Sequence, residues 1–596
     1  QIQNNPQGAN RIRGIGSENI TIGGFATSGR VPVEPSEIDA VEISRGPNSS
    51  IFGLGEGSGT VNLVASTANV SREASSLELR FDDLGGWRTA LDLNRPIIKG
   101  KLAFRVSGVY QHDAYQQKPS GFDSKRLNTM LRFQPFKDTT LRASFQTYRG
   151  SGTRASAVTP RDAVTYWKSL GSPAWDPIAN AVTVNGVTTV LTGTTNPTGL
   201  AGQNFSDPIL FVDGGIKLWT IGRLPSATAT DGPNNTGGTS RLLESIAEPV
   251  RTGRPLFSTL AGVSSKSVYD YSKINLAGPN NITDSTDTST VEFEQYLLNT
   301  DRNKIAVQLA WQREDADRLN RNVIGQASAT AASYYLYVDP NTKLLDGRAN
   351  PYFGRPYVGV GEPVTESQPY VRDSYRAQGA YILDLTQEQG WKKWIGRQQL
   401  LGYYEERKSK TFRYRFRDAM ISDNPIYAPA GVPKANQSGT VARLATRGYY
   451  HFYAGDNIGA NVDYAPSGYK LGDYDFQWYN PQANGGAGAW VTDKATLGTS
   501  GINEGTAGSF AVLNLIKTKG AMLQSNLFED RLVTTFGRRS DENRNRNQRP
   551  SVLKANGWEF DYAAMNGWAA DPKLDDGDPL WALRSGDTKT SGVVVK

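Results

Sequence analysis

Residues 38–63 read IDAVEISRGPNSSIFGLGEGSGTVNL. Ala40–Ser44 is a β-like run that ends at the tight break Arg45-Gly46-Pro47, and Thr60–Val64 is a second β-like run. Between them Gly53, Gly55, Gly57 and Gly59 fall within seven residues. Glycine reaches positive φ at little cost and lets another backbone or a wall approach closely. The stretch therefore reads either as part of a small compact domain pressed against something larger, or as a solvated flexible loop.

The residues upstream bear on that choice. Arg11-Ile12-Arg13-Gly14-Ile15-Gly16-Ser17 is followed by Asn19-Ile20-Thr21-Ile22-Gly23-Gly24-Phe25. With Val41-Glu42-Ile43-Ser44-Arg45-Gly46-Pro47-Asn48-Ser49-Ser50-Ile51-Phe52-Gly53 and Val61-Asn62-Leu63-Val64, these runs resemble, in order and spacing, the plug domain of TonB-dependent outer-membrane receptors. Gly23-Gly24 departs from that family's pattern, which has Asp-Gly or Asn-Gly there. The resemblance covers only the start of the chain. It implies a small α+β plug at 1–68, a polar linker at 69–76 and a partial transmembrane β-barrel from 77 to 596. It also implies an all-β, 22-stranded barrel with a plugged lumen, of which this chain would hold the N-terminal half or so.

Composition is compatible with this. The 596 residues hold no cysteine, so disulfides and thiolate metal sites are excluded, and only two histidines, His112 and His451. A net charge of +7 on 65 basic and 58 acidic residues is no nucleic-acid footprint. No run of about 18 apolar residues writes a transmembrane helix. Membrane β-strands alternate and leave a much weaker signal. The chain opens on Gln1 and closes inside the β-like run Ser591–Lys596, which reads as an internal piece of a longer protein without its signal peptide.

Alternation begins after the linker. Leu77–Asp82, Trp87–Asn94, Leu102–Tyr110, Leu127–Gln134 and Leu141–Tyr148 place apolar residues mainly on one face and polar or small ones on the other. Similar runs are Val291–Asn299, Ile305–Arg313, Tyr375–Leu385, Gln398–Lys408, Met522–Phe528 and Leu532–Arg538. Connections alternate too. Short ones, such as Pro135–Asp138 and Thr300–Asn303, trade places with long ones at about 150–290, 314–372, 409–521 and 539–590. Structureless links of that length are rare in a soluble domain, whereas a barrel with turns on one side and loops on the other produces them. Trp87, Tyr110, Tyr148, Trp311, Tyr381, Trp391, Trp394 and Phe528 sit near strand ends, as an interfacial girdle would.

Catalytic chemistry is not written in the chain. Gly57-Ser58-Gly59 shares the core of a nucleophile elbow but has the wrong glycine spacing. The glycine-rich run lacks the Lys-Ser/Thr of a phosphate loop. Asp575-Asp576-Gly577-Asp578 lacks the remaining ligands of a calcium loop. Neither a metal site nor a cofactor is expected. Trp167, Trp175, Tyr449, Tyr450 and Trp478 lie in the long loops, where aromatic rings suit either ligand stacking or loops packing on each other.

What remains comes from the resemblance. Ligand would touch the plug apex at Gly23, Gly24, Phe25 and Thr27. Arg13 and Arg45 would lock the plug to barrel carboxylates, with Glu405 and Glu406 as candidates, unless they are surface arginines. The partners implied are outer-membrane lipid, TonB through a segment outside this chain, and a ligand such as an iron-siderophore, an oligosaccharide or cobalamin. The implied role is active transport across the bacterial outer membrane, not enzymatic. The alternatives are a passive β-barrel channel or adhesin, and a secreted β-rich carbohydrate-active enzyme, which would need paired carboxylates.

Overall fold

A computed structural model describes residues 19–45, 59–156, 159–192, 195–202, 208–221, 242–249, 262–325, 334–361, 363–421, 448–456, 459–480, 483–502, 508–555, 559–570 and 581–595. The first unit is a small mixed sheet of β1 (Asn19–Ile22), β2 (Phe25–Ala26), β3 (Ile38–Arg45) and β4 (Gly59–Ala65), in the order β2-β1-β4-β3. Both runs of the 38–63 stretch are therefore strands, paired antiparallel to each other. The segment between them lies outside the described residues. β1 runs parallel to β4 and turns into β2 through Gly23 and Gly24, at φ +58° and +78°. Left-handed backbone at two successive positions is what glycine supplies without steric cost.

The second unit is a wall of twelve long strands, each antiparallel to the next. They are β5 (Ala74–Phe81), β6 (Trp87–Ile98), β7 (Leu102–Ala114), β8 (Gly121–Phe133), β9 (Thr139–Thr153), β10 (Asn281–Asn299), β11 (Asn303–Asn322), β12 (Tyr370–Asp384), β13 (Arg397–Ile421), β14 (Phe510–Leu527), β15 (Leu532–Pro550) and β16 (Trp581–Val595). Three further strands (Val364–Ser367, Gly472–Asn480 and Ala489–Gly501) extend the sheet beside β13. Among the described residues no pairing joins β5 to β16, so the wall is an open arc. Among them, too, no helix is long and apolar enough to cross a membrane.

Period-2 alternation gives the wall two unlike faces. Leu79, Leu91, Phe104, Leu127, Phe145 and Leu309 are exposed on one. Arg88, Asp92, Arg126, Asn128, Gln146 and Glu314 line the other, which the plug faces. Strand limits differ from the sequence reading at one end. β5 takes Ala74–Ser76 from the expected linker, β11 runs on to Asn322, β13 to Ile421, and β15 to Pro550. Beyond the apolar band both faces are polar, as in Arg313–Asn322, so the hairpin pairing continues where the alternation signal ends. Tyr148 leaves the expected girdle: it is buried and lines the interior, because its strand parity matches Gln146.

The long loops are themselves folded. Arg161–Asp162, Tyr335–Val338, Pro356–Gly361, Tyr449–Tyr453, Pro208–Val212 and Ile216–Ile221 form one mixed six-stranded sheet in that order. The sheet draws on three different loops, the segments between β9 and β10, between β11 and β12, and between β13 and β14. One face packs Trp167, Trp175, Trp219, Tyr450 and Phe452. The other stacks Phe211 on Tyr352, and Tyr357 on His451 with ring centroids 4.0 Å apart. Each such aromatic pair adds about 0.5–1.5 kcal/mol beyond its buried area.

Two carboxylates lie inside this loop core. Tyr449 donates to Glu244 at 3.0 Å, and Tyr453 donates to Asp339 at 2.8 Å. Burial pushes the Glu244 carboxyl up to about 8, although the Tyr449 hydroxyl pulls the other way. Burial also raises Asp339 and holds His451 neutral, down to about 3. An acid whose folded pKa is raised binds its proton more tightly when folded, so its contribution to stability is complete below its unfolded pKa and is lost as pH rises through the folded value. Glu244 alone thus removes stability between about pH 4.5 and 8; up to about pH 6.5 the neutral His451 acts the other way, so the net loss from this pair is expected between about pH 6.5 and 8. Glu244→Gln flattens that slope and makes the core more stable than wild type at pH 8.5. Amide exchange of Tyr449–Tyr453 at pH-corrected rates, in the whole protein, checks this; an unchanged slope in the variant contradicts it.

Candidate functional site

Among the described residues the plug meets the polar face of the wall mainly along Gly23–Glu37; Arg105 also donates to Thr67 O at 3.4 Å, and Ala68 packs against Ala103 and Met130. A charged group taken from water must be paired, or its desolvation goes uncompensated. Glu34, which also caps the single 3-10 turn Pro35–Glu37, receives Arg88 of β6 at 2.8 Å. Glu37 receives Arg126 of β8 at 2.9 Å and a hydrogen bond from Gln146 of β9. Arg126 also donates to Pro32 O at 2.6 Å. Arg105 of β7 is held by Asp92 at 2.6 Å and reaches Ser36 O at 3.3 Å. Burial pushes the Glu34 carboxyl up, but the Arg88 hydrogen bond, the Ser36 bonds and the Arg88 charge bring it below its ordinary value. For Glu37 burial wins over Arg126, and its carboxyl is raised.

The other end of the segment climbs β11 and β12. Arg376 donates to Gly23 O at 3.2 Å and lies over the Phe25 ring, 4.3 Å from its centroid. Arg372 donates to Ala26 O and pairs with Glu314 at 2.6 Å. Glu314 accepts from the Ser28 amide at 3.2 Å and from its hydroxyl. Arg30 donates to Gln368 O and lies over Tyr370. Between plug and wall lies a cavity of about 1480 Å³, lined by Gly23, Phe25 and Thr27 of the plug and by Arg126, Tyr148, Glu314, Arg372 and Arg376 of the wall.

The expected site residues fall into three groups. Gly23, Phe25 and Thr27 line the cavity, and Gly24 adjoins it against Arg376. Arg13 lies outside the described residues, as do the side chains of Arg45 and Trp478. Trp167, Trp175, Tyr449 and Tyr450 are all buried, which assigns them to loops packing on each other. The expected lock through Arg13 and Arg45 therefore falls outside what the structure describes. Among the described residues the ion pairs that cross the interface run from plug carboxylates, Glu34 and Glu37, to wall arginines. Glu406, offered as a candidate partner for the plug arginines, lies 3.9 Å from Lys517 of β14 and accepts a hydrogen bond from the Tyr404 hydroxyl at 3.0 Å. Glu405 makes no ion pair with the described part of the plug. Sequence reading missed Arg88, Arg126, Glu314 and Arg372, although a charged residue in phase with the polar side of an alternating strand marks a lumen-facing group. Among the described residues, no cluster of His, Cys, Asp and Glu could hold a metal ion.

No protein-family model matches the sequence, and no curated protein matches it. Solved structures do. The ferric preacinetobactin receptor BauA of Acinetobacter baumannii matches 98% of this chain at 10% identity and a TM-score of 0.46. The siderophore receptor PiuA of the same organism matches 98% at 11% identity and 0.42. The open form of the ferric-catecholate import receptor Fiu of E. coli matches 98% at 12% identity and 0.43. The chain spans 55%, 56% and 60% of those three proteins respectively.

The crossing ion pairs make a direct prediction. Arg88→Ala leaves the Glu34 carboxylate buried without its partner, which costs about 3 kcal/mol. The double variant Arg88→Ala/Glu34→Gln recovers most of it. Amide exchange of β1 and β4 reads the plug's local stability. If the double variant is as destabilised as the single one, Glu34 and Arg88 are not coupled.

Proposed function

We propose that this chain is the plug and part of the wall of a TonB-dependent outer-membrane transporter that imports a bulky nutrient, with a ferric siderophore as the cargo to test first. It acts by binding and moving its ligand, not by chemical conversion. The observation that carries the reading is a small domain tied by ion pairs to the polar face of an antiparallel wall whose opposite face is apolar. A closed wall of that polarity satisfies its backbone internally and presents only apolar side chains to lipid. The plug then blocks the lumen, and the cavity between it and the wall accepts a ligand larger than a simple ion. The lining carries both guanidinium and carboxylate groups, many of them paired with each other, so it offers polar contacts to a ligand without fixing its charge. Transport requires the plug to let go of the wall, and force delivered by TonB supplies the work.

Two measurements on the whole protein test this. Cells are given a panel of ferric siderophores, cobalamin and oligosaccharides with and without TonB. Surface binding of a ferric siderophore persists without TonB, and its uptake stops. Uptake that continues without TonB would replace the reading with a passive channel. The membrane orientation is tested by Leu309→Arg and Gln308→Arg, neighbours on β11. Arginine on the lipid face near mid-membrane costs about 2–4 kcal/mol, and in the lumen little. Leu309→Arg is therefore expected to lower the folded, heat-modifiable fraction in lipid vesicles while Gln308→Arg does not; equal losses would contradict the assignment of faces.

A further inference from the structure

The apolar band on the outer face of the wall is not level. Counted from the short-turn end of each strand, the first outward-facing charges on β9, β10, β11 and β12 are Arg149, Asp287, Arg313 and Asp373, ten to twelve residues in. On β14 the first is Lys519, eight residues in, and on β15 it is Arg538, six residues in, with Lys589 of β16 directly opposite. Register puts these cations on the face of the exposed Leu309. Leu309 pairs with Ala377, Ala377 with Tyr404, Tyr404 with Lys519, and Lys519 with Ser540, two residues beyond Arg538. Four residues are about 14 Å of strand, a large part of an apolar band about 25 Å tall.

The charges at this step do not balance. Asp587 pairs with Arg538 at 3.0 Å, whereas Lys519 and Lys589 form no ion pair among the described residues. Like charges directly opposite each other repel, and a charge on the lipid face costs most near mid-bilayer and little at its surface. Below the cations lies a groove of about 530 Å³, walled by Leu400, Leu523 and Phe536, with the small Ala521 between them and Arg538 and Lys589 along one side. An apolar trough with a cationic rim fits an acyl chain that carries an anionic headgroup. A second copy of this chain does not fit. Two copies in the same orientation meet at equal heights, which sets these cations against their own counterparts.

We infer that the bilayer boundary on the long-loop side drops along β14–β16, where the phosphate of an anionic lipid binds among Lys519, Arg538 and Lys589 and an acyl chain fills the groove. This rests on the membrane reading of the wall and adds to it a place where one class of lipid is held. On β9–β12 the boundary stays level with Arg149 and Arg313.

The test uses the full-length protein in phosphatidylcholine vesicles containing phosphatidylglycerol, with a fluorophore on one cysteine, a residue this chain otherwise lacks. Ser540→Cys and Trp311→Cys place it outward on β15 and β11, each eight residues in from the turn end. Acrylamide in the water is expected to quench the Ser540 position at least about threefold more than the Trp311 position, because headgroups and water reach the first and lipid covers the second. Equal protection of both means that the boundary is level and the cations snorkel to it, which overturns the inference. Spin-labelled phosphatidylglycerol is expected to quench the Ser540 position about threefold more than spin-labelled phosphatidylcholine, and Lys519→Gln/Lys589→Gln to make the two equal. Heat-modifiability confirms that each variant is folded. Equal quenching without those substitutions overturns the inference, and so does loss of the preference on adding inorganic phosphate, which would mark a site for free anions. Free access of acrylamide to both positions overturns the membrane reading, and the inference falls with it.

Discussion

Burying charge is costly, and this molecule buries it at the seam between its two units. The inner face of the wall is rich in guanidinium groups that water reaches poorly. Arg88 and Arg126 find their carboxylates in the plug, at Glu34 and Glu37. Neither unit is electrostatically complete alone: a wall without its plug leaves Arg126 unpaired and Arg88 with only the exposed Glu78 at 3.5 Å, and a plug without its wall leaves two glutamates unpaired. That mutual need fixes the plug's position more firmly than its few apolar contacts could. Within the plug only Phe25 and Leu63 are buried apolar side chains among the described residues of β1–β4.

The outer loops follow a different rule. Their residues do not alternate with the wall, and their stability comes from a core of their own. Strands contributed by segments far apart in sequence lie side by side, two of the pairings being parallel. A parallel pairing cannot form from a hairpin, so it ties one loop to another and makes them a single folded cap. Tyrosine suits this core because its ring packs while its hydroxyl satisfies a buried acceptor, as at Glu244 and Asp339. The same rings are thereby removed from any surface that a ligand could touch.

This contrast explains how much was legible in the sequence. The wall strands announce themselves through alternation, and the plug strands through the 38–63 stretch and its neighbours, since both signals are local. The ends of β11, β13 and β15 carry polar residues on both faces and leave no period to read. The fate of Trp167 and Tyr450 depended on which loops fold together, which only long-range pairing decides. The described part of the seam was not legible, because Glu34 and Glu37 sit in a stretch without strand periodicity and gain meaning only opposite Arg88 and Arg126.

The seam is graded along its length, and the grading has a direction. At Glu34 and Glu37 the ion pairs cross from plug to wall, so parting the two breaks the pairs. At Ala26 and Ser28 the plug is held by hydrogen bonds to Arg372 and Glu314, which are already paired with each other within the wall. Parting them there leaves the ion pair whole. At Gly23 the hold is one carbonyl hydrogen bond and an aromatic face against an otherwise unpaired arginine. Breaking a buried pair costs several kcal/mol, whereas a single neutral hydrogen bond costs about 1. By that measure the Gly23–Phe25 turn is the more weakly held end of the described seam, and Glu34–Glu37 the more strongly held one.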